Sequence, residues 1–205
     1  MPLAVDRYEL GPIRTNCYVV RRDPSATAAV VIDPSGDALP LLQGLTCAGI
    51  LVTHTHWDHL LGLADLVAAT GAPVWAPRSE RDRLAEPDGA GHRLRVPAHD
   101  PEHLVAGGDT VSVAGIDFEV VDVPGHTAGH VAFYADEALF SGDVLFAGSV
   151  GRTDLPGASW DDLLESIRTL MERFPPETVV YSGHGPETTL ADELARNPFL
   201  AELRA

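Results

Sequence analysis

Within six residues, His54-Thr55-His56-Trp57-Asp58-His59, the chain sets four side chains able to bind a metal, directly after the apolar run Gly49-Ile50-Leu51-Val52-Thr53. Neutral imidazole and ionised carboxylate suit zinc, iron or manganese. The apolar run reads as a strand. In extended backbone His54 and His56 fall on the same side, because side chains alternate with a period of two. Leu60-Leu61-Gly62-Leu63-Ala64-Asp65-Leu66 then reads as a helix. Asp58 and His59 lie near its first turn, where they can face a second point a short distance away. The spacing points to two adjacent metals rather than one closed cage. Taken alone, the six residues could also be a polar loop ahead of a helix.

Later segments repeat the pattern. His126 stands in Pro124-Gly125-His126-Thr127, Asp143 in Ser141-Gly142-Asp143, and His184 in Ser182-Gly183-His184-Gly185. Each follows or ends an apolar, β-branched run: Phe118 to Val123, Ala138 to Phe140, and Thr178 to Tyr181. Each also touches glycine, which allows close backbone approach and turns with positive φ. Four strand-end loops that carry ligands are what a site along one edge of a sheet requires.

Taken in order, these motifs (HxHxDH, PGHT, SGD and SGHG) resemble those of metallo-β-lactamase-fold hydrolases. The resemblance spans essentially the whole chain. It is strongest to the short, single-domain glyoxalase II-like proteins (hydroxyacylglutathione hydrolases), through Gly11 to Tyr18, Gly148 to Gly157, and Asn197-Pro198-Phe199-Leu200. It implies an α+β architecture, a four-layer αββα sandwich in one domain over residues 1–205. It implies two divalent metal ions, zinc first and iron or manganese as alternatives. His54, His56 and His126 would hold one, Asp58, His59 and His184 the other, and Asp143 would bridge them.

The implied reaction is hydrolysis of a hydroxyacyl thioester by a metal-bound hydroxide. Two cations lower the pKa of a shared water toward neutrality and polarise the substrate carbonyl. Asp58 would orient the nucleophile as well as bind metal. A thiol leaves with a pKa near 8.5, so no dedicated general acid is needed. Arg152, nine residues beyond Asp143, is the substrate-binding candidate, since a guanidinium there can pair with a substrate carboxylate. The alternative for Arg152 is a loop-fixing ion pair with Asp154. The longer glyoxalase II enzymes add a C-terminal helical domain that helps bind glutathione. They also place an aromatic residue where this chain has Thr153-Asp154. The thiol carrier is therefore left open.

Other residues carry less. Asp33 is either a partner to a ligand histidine or a turn former. His130 reads as polar surface or a satisfied partner. His92, His99 and His103 read as solvated loop, in or beside an irregular stretch over Glu86 to Pro101. Cys17 and Cys47 read as small buried hydrophobes.

The formal charge of −16 over 205 residues argues against nucleic-acid or anionic-membrane surfaces, where basic patches are needed. The expected partner is a small acyl-thiol substrate, with the protein a monomer or homodimer. No basic stretch followed by an apolar one opens the chain, and no run approaches the roughly 20 apolar residues that span a bilayer. A cytoplasmic location is expected. The rival readings are a mononuclear iron persulfide dioxygenase, which would use His54, His126 and Asp143, and a lactonase. A β-lactamase fits less well, because an aspartate bridge is not the lactamase pattern.

Overall fold

The computed structural model describes residues 2–85 and 96–204. Its first sheet runs in chain order: β1 (Ala4–Leu10), β2 (Thr15–Arg21), β3 (Ala28–Ile32), β4 (Thr46–Leu51), β5 (Val74–Pro77) and β6 (His103–Val105). The first three strands are antiparallel, and the rest join in parallel. The second sheet contains β7 (Thr110–Val113), β8 (Ile116–Asp122), β9 (Val131–Ala135), β10 (Ala138–Gly142), β13 (Val179–Ser182) and β14 (Thr188–Thr189). Its spatial order is β14-β13-β10-β9-β8-β7. A two-stranded ladder, β11 (Leu145–Phe146) with β12 (Ser149–Val150), stands apart.

The period-two pleat sorts residues into layers. Tyr18, Val20, Val30, Ile32 and Leu51 of the first sheet meet Phe118, Phe133 and Phe140 of the second in a shared core. Their alternates Cys17, Val19, Val31 and Ile50 face the other way, against Leu60, Leu63 and Leu66 of the helices α1 (Trp57–Leu60) and α2 (Leu63–Thr70). On the far side, Val121, Ala132, Leu139 and Val180 pack on Leu163, Ile167 and Leu170 of α4 (Trp160–Arg173) and Leu190 of α5 (Leu190–Arg196). Helix, sheet, sheet, helix is the expected four-layer sandwich. The two cysteines are buried and free, as expected.

Sequence pattern also suggests helices over Leu60 to Thr70, Ala38 to Leu45 and Arg78 to Ala85, and each needs correction. The helix expected over Leu60 to Thr70 is two helices broken at Gly62. A Cβ at Gly62 would overlap the Gly36 carbonyl oxygen, so the chain passes there with no side chain. Ala38 to Leu45 forms only a 3-10 turn, Leu39–Leu42. Arg78 to Ala85 divides into a 3-10 turn, Arg78–Glu80, and α3 (Arg81–Ala85). His92 and the irregular stretch up to residue 95 lie outside the described residues, and residues 96–101 form no helix or strand. His103 is in β6 and stacks on Trp75 at 4.5 Å, rather than lying in a solvated loop. His99 is half-buried, and its amide is bonded to the Leu84 carbonyl. No helix of the described residues is long and apolar enough to cross a membrane.

Candidate metal centre

The C-terminal ends of β4, β8, β10 and β13 open into the loops that carry His54, His126, Asp143 and His184. His56 stands at the N-cap position of the short helix α1, without a side-chain capping bond, and Asp58 lies in its first turn. All seven expected ligands converge. Donor atoms of His54, His56 and His126 lie within 4.8 Å of one another, and so do those of Asp58, His59 and His184. Asp143 stands between the sets. Its Oδ2 is 3.5 Å from His126 Nε2 and 3.7 Å from His184 Nε2, and its Oδ1 is 3.3 Å from His59 Nε2.

Hydrogen bonds behind the rings decide which nitrogens face inward. His59 Nδ1 is 2.9 Å from Asp33 Oδ2, an acceptor, so that nitrogen carries the proton. The Thr53 hydroxyl donates to the same Asp33 at 2.7 Å, leaving its oxygen to accept from His54 Nδ1 at 3.0 Å. His126 Nδ1 donates to the Arg152 carbonyl at 2.8 Å. In neutral His54, His59 and His126 the inward Nε2 therefore presents a lone pair, the arrangement that carboxylate or carbonyl partners impose on metal-binding histidines.

The test of fit is the set of atoms left without partners. His54 Nε2, His59 Nε2 and Asp143 Oδ1 are buried and make no hydrogen bond. Burying such atoms unsatisfied costs free energy. A divalent cation supplies the missing partner to all three, and the mixed His/Asp donor set suits one. The seven residues fit two such ions.

The charges agree. Burial, then the neighbouring His126, lowers the His56 pKa to about 4, so its imidazole is neutral near pH 7. Burial alone would raise Asp58, but His59, His184 and the Thr15 hydroxyl outweigh it and hold the carboxyl down to about 2. Burial also opposes ionisation of Asp143, yet His59, His126 and His184 pull its pKa below the ordinary carboxylate range. His59 is raised well above its usual value despite burial, because Asp143, Asp33 and Asp58 surround it.

Of the two readings of Asp33, the structure shows the histidine partner; its backbone has a φ of +51°, but no turn is formed there. His130 differs from the expectation. It is 1% exposed, stacks on His54 at 4.4 Å, and has no hydrogen-bond partner on either nitrogen. Arg152 lines the cavity and also makes the expected ion pair, a two-pronged contact with Asp154 at 2.6 and 2.8 Å. The Thr15 to Tyr18 motif gains a role: Asn16 and Tyr18 bond the Ser182 carbonyl at 2.8 and 2.6 Å, which fixes the His184 loop. Thr15 Oγ1 bonds Asp58 Oδ2 at 2.7 Å.

Glu80 and Arg83 had no sequence signal, since each sits singly among polar residues beside the irregular stretch. Above the metal centre opens a cavity of about 620 Å³, with Ile13, Phe146, Val150, Leu155 and Pro156 as an apolar wall and Arg83 and Arg152 as cations.

The sequence profile of the metallo-beta-lactamase superfamily matches residues 10–184. A Haemophilus influenzae protein named hydroxyacylglutathione hydrolase GloC is 34% identical over 198 residues, covering 90% of this chain and 92% of that protein. Among solved structures, the B3 metallo-beta-lactamase BLEG-1 superposes with a TM-score of 0.90 at 37% identity, covering 97% of this chain and 100% of that one. TTHA1623, in a di-iron-bound form, gives a TM-score of 0.84 at 39% identity over 95% of this chain and 100% of its own.

Proposed function

The chain belongs to the metallo-beta-lactamase superfamily, as a metal-dependent hydrolase, and from that premise we propose that it hydrolyses acyl thioesters of the hydroxyacyl-thiol kind at a binuclear centre. The observation that carries the reading is the position of Asp143, whose two oxygens lie within 3.7 Å of histidines from both sets. His54, His56 and His126 would hold one ion and Asp58, His59 and His184 the other, with zinc the proposed metal. The relative in a di-iron-bound form makes iron the alternative. When bound, two such ions lower the pKa of water toward neutrality and polarise an acyl carbonyl.

The residues supply the rest. Asp143 fixes the spacing of the two sets. Asp58, tied by Thr15 and lining the cavity, orients the attacking water and is ionised near neutral pH. The apolar wall accepts the acyl chain and excludes water around the carbonyl. Arg152 and Arg83 suit a carboxylate on the thiol carrier. The thiolate departs without a proton donor, and among the described residues the cavity has no carboxyl held neutral to serve as one.

The likeness to a B3 metallo-beta-lactamase makes β-lactam hydrolysis the second reading, because the same nucleophile opens an amide ring. Steady-state assay of the metal-loaded protein on S-lactoylglutathione, an acyl-coenzyme A, a lactone and a chromogenic cephalosporin separates the two. The proposal expects kcat/KM on a thioester to exceed that on the β-lactam by at least about a hundredfold, a difference of roughly 2.7 kcal/mol in transition-state binding. The reverse order rejects it.

A further inference from the structure

Glu80 ends the 3-10 turn Arg78–Glu80, outside the metal centre, yet it is only 3% exposed. Its Oε2 accepts from the Thr55 amide at 2.7 Å and from the Thr55 hydroxyl at 2.6 Å. Its Oε1 accepts from the Thr127 hydroxyl and, at 3.3 Å, from the Gly129 amide. A buried carboxylate persists only where donors meet its lone pairs. All four donors here come from two loops. Thr55 sits between His54 and His56, and Thr127 directly follows His126. One carboxylate thus ties together the loops that carry all three ligands of the first set.

The second set has other supports: Asp33 behind His59, Thr15 on Asp58, and Asn16 with Tyr18 on the His184 loop. Gly129 agrees with the same role for Glu80. A Cβ there would stand 2.5 Å from Glu80 Cγ and 2.9 Å from Ser79 Cβ, so the PGHT loop closes onto the carboxylate only because this residue has no side chain.

We propose that Glu80 is a positioning residue for the first metal site alone: it sets the separation of the His54/His56 loop from the His126 loop and thereby the affinity of that site. The inference rests on the binuclear reading above. Glu80→Gln keeps the shape but turns an amide N–H toward one pair of donors; the threonine hydroxyl of that pair can turn to accept from it, but the backbone amide beside it loses its acceptor.

The test is a zinc titration against a chromophoric chelator, with bound metal counted per chain, on wild type, Glu80→Gln, Thr127→Val, His126→Ala and His184→Ala. Circular dichroism of each metal-free variant reports folding. In Glu80→Gln the affinity of the site that His126→Ala abolishes should fall by about tenfold or more, the scale of lost partners behind metal ligands. The site that His184→Ala abolishes should keep its wild-type affinity. Thr127→Val, which removes one of the four contacts, should weaken the same site by a smaller factor, and it decides the matter if Glu80→Gln does not fold. Equal weakening of both sites, or wild-type affinity at both, overturns the proposal. A wild-type protein that takes up one ion, lost in His126→Ala, removes the binuclear reading but leaves Glu80's role standing if Glu80→Gln weakens that ion. One ion unaffected by either change removes both.

Discussion

Three of the inward-facing rings, those of His54, His59 and His126, are aimed by a group behind them. Asp33 serves two of these histidines at once, one directly and one through Thr53. The two oxygens of Asp143 reach histidines of both sets. Asp143→Asn replaces one carboxylate oxygen by an amide nitrogen that cannot ligate. Changing a partner behind a ligand costs about 10- to 100-fold, and the shared ligand should cost more. We expect turnover to fall by at least about a hundredfold and metal per chain to fall with it. Full occupancy with normal turnover would remove the bridging role. At this scale the sequence pointed to the seven residues that the structure brings together and said little of the groups behind them. The seven candidate ligands sit in dense motifs whose spacing repeats a chemical need. Glu80 acts through a fold contact 25 residues from Thr55 and 47 from Thr127, and no local pattern announces that. His130 was misread for the same reason, because its burial against His54 is made by the second sheet closing on the first.

Secondary-structure elements serve as fixed mounts for the loops. Helix α4 is capped by Ser159, whose side chain accepts from the Asp162 amide at 3.3 Å. Its Ser166 hydroxyl donates to the Pro124 carbonyl at 2.7 Å and so braces the loop before His126. Removing the cap by Ser159→Ala should cost about 1 kcal/mol, seen in a denaturant titration, with unchanged metal content because the Ser166 brace remains. Gly183→Ala is the opposite case. Its Cβ would overlap Asp143 Oδ1 and lie 2.7 Å from His59 Cε1. Bound metal should fall below two per chain while the circular dichroism spectrum is kept, and an alanine variant that loads normally would show that the loop can yield. The sequence reads as hairpins over Val5 to Leu10 with Thr15 to Val20 and over His130 to Tyr134 with Ala138 to Ser141, and as a helix from Ser159 to about Phe174, and these elements form. Such reading failed for β6, β11, β12 and β14, where two or three residues offer no period to read. It failed again for the helix after His59, where a backbone crossing at Gly62 overrode an unbroken helical pattern.

In the whole molecule, two sheets share one core and bring loops distant in sequence to a single edge. The layering was legible because strands fell into two groups separated by helices, and because the pleat divides Val19 from Val20 and Leu139 from Phe140 between opposite faces. The cavity over the edge was not legible, since Arg83 and Ile13 reach it from segments with no motif of their own for it. One aspartate placed between the two sets is what would join them into a single hydrolytic centre. The first experiment is to count metal per chain and assay that same sample on S-lactoylglutathione and on glutathione persulfide with an oxygen electrode. We expect two divalent ions per chain, release of free thiol from the thioester, and no oxygen uptake. One iron per chain with oxygen consumed on the persulfide would contradict that expectation.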